Sequence, residues 1–137
     1  MSNFEHLPEQ DLAEPAPARI LVVDDEPLLA NAVRRSLSEH QVTTAGGAVE
    51  AWQHLEDGCA YDLILCDLAM PEVNGAEFYR RLGEDWPQAQ DRVVFMTGGV
   101  FCGEMEAFLN ALPNPTLTKP FDLTELRELI SGMMQSP

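Results

Sequence analysis

Positive charge is what this sequence has least of. Its 137 residues include 8 Lys and Arg against 23 Asp and Glu, a formal net charge of −15. Phosphate backbones are gripped by basic faces, and anionic membrane surfaces likewise select basic segments. Nucleic acid and membrane are therefore not expected partners, and most of the acids read as solubilising charge. Lysine is scarcer still, because Lys119 is the only one. Cysteine is limited to Cys59, Cys66 and Cys102. An odd number without C-x-x-C spacing suits neither a disulfide framework nor a zinc site, and free thiols fit a reducing cytosol. No apolar run approaches the ~20 residues a membrane helix needs. The opening MSNFEHLPEQDLAEPAPA lacks the basic start and apolar stretch of a secretion signal. A cytoplasmic, single-domain protein is expected, long enough to bury about two-thirds of its unfolded surface without a disulfide or metal staple.

What is present is alternation. Residues 1–17 read as a disordered, acidic arm bearing Pro8, Pro15 and Pro17. Residues 18–134 read as the domain and 135–137 as a short tail. Ile20-Leu21-Val22-Val23, Leu63-Ile64-Leu65-Cys66 and Val93-Val94-Phe95-Met96 are short continuous apolar runs, the texture of strands buried on both faces of a parallel sheet. QVTTA at 41–45 and Thr116–Thr118 read as two further strands. Between them, helical spacing places one face on Leu29, Val33 and Leu37. Others fall on Ala48, Ala51, Trp52 and Leu55; on Phe78, Tyr79 and Leu82; on Met105, Phe108, Leu109 and Leu112; and on Leu123, Leu126, Leu129, Ile130 and Met133. Five strand–helix alternations predict an α/β domain with a five-stranded, doubly wound parallel sheet. Trp52 and Phe108 are expected to face the core, and the scattered His6, His40 and His54 to lie on the surface.

In such sheets, sites gather at the carboxyl ends of the strands. Here those ends deliver Asp24-Asp25, Asp67, Thr97 and Lys119. Each follows a strongly apolar run or, for Lys119, the last short strand, so burial does not account for them. Taken singly, Asp24-Asp25 could be a polar strand end or a helix cap before Pro27, Thr97 a turn residue before Gly98-Gly99, and Lys119 a solvated lysine. Taken together, three carboxylates at one edge repel one another and call for a compensating charge. A hard divalent cation such as Mg²⁺ supplies it through oxygen ligands, and one ammonium completes the balance. Carboxylates, metal, hydroxyl and ammonium around one point suit a phosphoryl group, and a carboxylate can itself accept that group. Gly98-Gly99 lacks the G-x-x-x-x-G-K-[ST] context of a nucleotide cradle.

With those residues in hand, the sequence resembles the receiver domain of bacterial two-component response regulators. The motifs are Asp24-Asp25 after ILVV, Asp67 in LILCDLAMPEVNG, Thr97 in VVFMTGG and Lys119 in TKPF, within roughly residues 19–134. The resemblance implies a flavodoxin-like (βα)5 fold with strand order 2-1-3-4-5 and Mg²⁺ as cofactor. It makes Asp67 the phosphoacceptor, Thr97 the switch hydroxyl and Lys119 the phosphoryl-pairing lysine. It gives the metal to Asp25 directly, to Asp24 mainly through water, and to Asp67 and the backbone carbonyl of Ala69. It also implies a cis bond before Pro120. The phosphodonor would be a sensor histidine kinase or a phosphotransfer protein. Activity would be that of a signalling phosphoacceptor, not of an enzyme with separate substrates.

The sequence departs from the family pattern at Thr116, three residues before the lysine, where many receivers carry a switching Tyr or Phe; Phe101 is a candidate substitute. In receivers the positions two residues past the acceptor and the switch threonine border the path of attacking water; here they are Ala69 and Gly99, both small, so the resemblance implies open access for water. No output module follows the last predicted helix, so output through protein contact, phosphate relay or phosphate draining is expected. The alternatives are a receiver module of a hybrid sensor histidine kinase, which FMTGG and NPTLTKPF resemble, and a phosphate-independent scaffold. A haloacid-dehalogenase-type phosphatase would need a second acid where Ala69 stands.

Overall fold

The computed structural model describes residues 17–58, 60–98 and 103–135. Five strands form one parallel sheet: β1 (Arg19–Val23), β2 (Gln41–Ala45), β3 (Leu63–Asp67), β4 (Val93–Thr97) and β5 (Thr116–Thr118), in the order β2-β1-β3-β4-β5. The helices are α1 (Pro27–Ser36), α2 (Ala48–Glu56), α3 (Gly75–Asp85), α4 (Pro87–Gln90), α5 (Glu104–Asn110) and α6 (Leu123–Gln135). The expected α/β architecture and strand order are both found. None of the described helices is long and apolar enough to cross a membrane.

Side chains on a strand alternate between faces, and that alternation divides the core in two. Leu21, Val23, Ile64, Cys66, Val93 and Phe95 share one cluster with Ala51 and Leu55 of α2 and Phe78 and Leu82 of α3. Ile20, Val22, Leu63, Leu65, Val94 and Met96 share the other with Ala30 and Val33 of α1, the adjoining Leu37, and Leu126 and Ile130 of α6. The apolar runs are continuous because both faces are covered. In β3 and β4 every residue is buried. Register does the rest: Val23 stands beside Cys66, Asp67 beside Met96, and Thr97 beside Thr118, so the polar strand ends finish at one level.

Three expectations need correction or refinement. The four-residue α4 is an added element, too short to show a helical period. Trp52 and Phe108 pack against the core but are only partly buried. His40 is not a surface residue, because its side chain is 12 % exposed and its Nδ1 accepts a 2.8 Å hydrogen bond from the backbone N–H of Ala18. It gives an otherwise unpaired donor at the start of β1 a partner. His54 is partly exposed beside Glu50. His6 and nearly all of the expected arm lie outside the described residues, as do the last two residues of the tail.

Asn114 closes the far end of the sheet. Its side-chain amide donates to the carbonyls of Gln90 in α4 and Val93 in β4, both at 2.8 Å. Asn114→Ala is expected to destabilise the fold by about 2 kcal/mol, a drop of roughly 7 °C in Tm. Asn114→Asp, nearly isosteric but without the donor, is expected not to restore it. A calorimetric scan of the three proteins checks this.

Candidate functional site: an acidic cleft at the strand ends

Asp24 continues β1 beyond its last residue, held by its own N–H on the carbonyl of Ala45 at 3.0 Å. Its side chain is fully buried, and both oxygens are engaged. Oδ1 accepts from the backbone N–H of Glu26 at 2.8 Å, and Oδ2 accepts from Lys119 Nζ at 3.0 Å. Asp25 follows with an exposed side chain. Asp67 ends β3, 6 % exposed. Its Oδ1 accepts from the backbone N–H of Ala69 at 3.2 Å, and its Oδ2 lies 3.3 Å from Lys119 Nζ. Thr97 ends β4 and is buried. Its carbonyl accepts the Lys119 N–H at 2.6 Å, which couples the ends of the last two strands. The Lys119–Pro120 bond is cis, as the resemblance implied.

All four strand ends that the sequence singled out therefore meet at one edge. Oxygens of Asp24, Asp25 and Asp67 lie within 4.8 Å of one another. Two oxygens bound to one Mg²⁺ at ~2.1 Å stand at most ~4.2 Å apart, so a small inward closure would let the three hold a hard divalent cation directly or through water. Ala69 is exposed at the rim. Gly99 and Phe101 lie outside the described residues.

Two contributors escaped the sequence reading. Glu26 places Oε1 3.4 Å from Lys119 Nζ; the only signal was a third consecutive acid after Asp24-Asp25. The other is Gly75, which opens α3 behind the Asn74 cap, whose side chain accepts from the Glu77 N–H. A Cβ on Gly75 would stand 2.8 Å from the Asp67 carbonyl oxygen. Its bare backbone lets the helix start directly against the strand end that carries Asp67.

The electrostatics follow from this crowding. Burial, reinforced by the Asp24 charge, raises the Asp67 carboxyl above its ordinary range, and Lys119 offsets only part of the rise. Burial alone would lower the Lys119 ammonium, but Asp24 and Asp67 together raise it, so the lysine stays charged. Burial, with Asp67 and Asp24 nearby, pushes the Cys66 thiol far up and leaves it protonated.

Residues 20–131 match the family model of the response regulator receiver domain. The chain belongs to that family. Among curated relatives of this receiver, response regulator Rre1 of Synechocystis is 31 % identical over 121 residues, covering 86 % of this chain and 52 % of that protein. The chain spans about half the length, or less, of the first curated relatives it matches. Among solved structures, the receiver domain of the Pseudomonas aeruginosa sensor histidine kinase PA1611, with a magnesium ion in its active-site cleft, is 28 % identical. Its TM-score is 0.73, with coverage of 88 % of this chain and 100 % of that one. The Thermotoga maritima response regulator TrrA, in complex with Mg²⁺ and beryllofluoride, is 26 % identical with a TM-score of 0.69, covering 85 % and 98 %. The receiver is thus a signalling phosphoacceptor domain with an acidic pocket of Asp24, Asp25 and Asp67.

The raised Asp67 value fixes the sign of a pH effect. The folded receiver holds this proton more tightly than the unfolded chain does. Ionised Asp67 therefore lowers stability above both values, and the penalty fades as pH falls through the raised folded value and is gone below the ordinary carboxylate value of ~4. In divalent-free buffer at pH 7, Asp67→Asn is expected to melt above the wild type, with the gap closing toward pH 4. A lower Tm for the variant would show that the Lys119 pair outweighs burial.

Proposed function

We propose that this receiver takes a phosphoryl group onto Asp67 from a sensor histidine kinase or phosphotransfer protein. The observation that carries the reading is one ammonium, Lys119 Nζ, standing 3.0 Å from Asp24 Oδ2 and 3.3 Å from Asp67 Oδ2 beside a third carboxylate. An Asp67 oxygen attacks phosphorus, the P–N bond of the donor phosphohistidine breaks, and the imidazole leaves with that electron pair. Such transfer depends on positioning and charge stabilisation. Lys119 pairs with a phosphoryl oxygen, and the Thr97 hydroxyl turns to another.

Mg²⁺, when bound, would offset the negative charge that gathers on the transferring group. Asp25, exposed at the cleft, is assigned as a direct ligand with Asp67 and the Ala69 carbonyl. Asp24 is assigned to act through water, a role supported by the occupation of both its oxygens. These assignments extend the family resemblance residue by residue.

The domain is assigned to residues 18–134, the cellular location to the cytoplasm, and output to protein contact, relay or draining of phosphate. The net charge of −15 speaks against nucleic-acid contact by this segment. A second reading, a receiver module of a hybrid kinase, is favoured by the likeness to the PA1611 receiver; a continuous upstream kinase reading frame would support it.

Two outcomes are expected. With Mg²⁺ and acetyl phosphate, intact mass should gain one phosphoryl group on the wild type and none on Asp67→Asn. No gain, together with no Mg²⁺-dependent response to beryllofluoride, would favour a phosphate-independent scaffold. The small, exposed Ala69 leaves the acceptor open to water, so Ala69→Met is expected to slow dephosphorylation ~5-fold, about 1 kcal/mol of barrier. An unchanged decay rate would remove Ala69 from that role.

A further inference from the structure

Glu26 occupies the N-cap of α1, with Pro27 following it in the first turn. A side chain at this position ordinarily accepts a hydrogen bond from the first turn of its helix, but that of Glu26 accepts none. The backbone meets the local needs instead. Its N–H donates to Asp24 Oδ1 at 2.8 Å, and its carbonyl accepts from Ala30 at 3.1 Å. The carboxylate is thereby released to reach Lys119, 93 residues away, at 3.4 Å.

The two grips on Lys119 differ in kind. The Asp24 side chain is 0 % exposed and that of Glu26 is 65 % exposed. Loss of the first would leave a buried charge without its partner. The second is a solvent-screened pair, weak and easily exchanged. An ammonium has three N–H donors, and here three carboxylates surround it: Asp24, Asp67 and Glu26. A phosphoryl group on Asp67 inherits the Asp67 share and brings a charge of about −1.5 to −2. Glu26 then stands as a rival acceptor on the same ammonium.

We propose that Glu26 is a positioning residue that competes with the phosphoryl group for Lys119 and so weakens the phosphorylated state. This rests on the reading of Asp67 as phosphoacceptor. The test is the affinity for beryllofluoride, a phosphoryl mimic, at saturating Mg²⁺, measured by titration calorimetry on wild type, Glu26→Gln and Glu26→Asp. Glu26→Gln is expected to bind about threefold more tightly, the scale of an exposed ion pair. Glu26→Asp keeps the charge but is one methylene too short to reach Lys119, so it is expected to match Glu26→Gln. If Glu26→Asp matches the wild type, the effect is a general field and the competition is overturned. If the wild type binds and Glu26→Gln binds no tighter, the role of Glu26 alone fails. If the wild type does not bind, the phosphoacceptor reading falls with it.

Discussion

A single ammonium holds the cleft together. Among the described residues, Lys119 is the one cation that contacts the acidic edge, and it reaches Asp24, Glu26 and Asp67 at once. Without it, the ends of β1 and β3 would present buried carboxylates to each other with nothing between them. Removing one partner of such a pair is strongly destabilising, because the remaining charge has already left water. The sheet is built to deliver this lysine. The Lys119 N–H bonds the Thr97 carbonyl at 2.6 Å, so its backbone is fixed to the end of β4 before its side chain reaches the acids.

The same interaction explains why the cleft suits a divalent ion and a phosphoryl group. One ammonium does not neutralise four neighbouring carboxylates, Asp24, Asp25, Glu26 and Asp67. Burial raises the Asp67 carboxyl first, and the neighbouring Asp24 charge adds to the rise. The fold tolerates that surplus because the apolar runs behind it bury so much. Ile20, Leu21, Ile64, Leu65, Phe95 and Met96 are completely buried, each contributing on the order of 1.5–3 kcal/mol of transfer free energy. A site of this kind is stabilised by the core, by Lys119 and by whatever further cation it takes up.

How much of this was legible follows from the range of each signal. The strand ends were readable because an apolar run and the polar residue that ends it are adjacent in sequence, and parallel topology brings all such ends to one edge. The two-faced core was readable for the same reason. The contact of His40 with Ala18 was not, because it joins residues 22 apart across the start of β1. Nor was the reach of Glu26 to Lys119, since helix capping is the default reading for an acid before Pro27. The close approach of Gly75 to the Asp67 backbone was not readable either, because it belongs to packing, which spacing does not encode. The α4 turn fell below the length at which periodicity exists.

The absence of an aromatic at Thr116 narrows how a change at the cleft can leave it. Thr116 is exposed and pairs with Phe95 in the sheet register. Its short side chain has no ring to swing into the interior. Phe95 packs instead with Tyr79 and Phe108, at centroid distances of 5.6 Å each, on the sheet face that α3 and α5 cover. What Thr97 retains toward β5 is backbone: its pairing with Thr118 and its bond to the Lys119 N–H. A displacement of Thr97 would therefore act on the segment that carries Lys119 and Pro120, not on an aromatic lever at position 116. The Thr97 carbonyl and the Lys119 N–H are joined by a 2.6 Å hydrogen bond, so a shift of either strand end is passed to the other through the backbone.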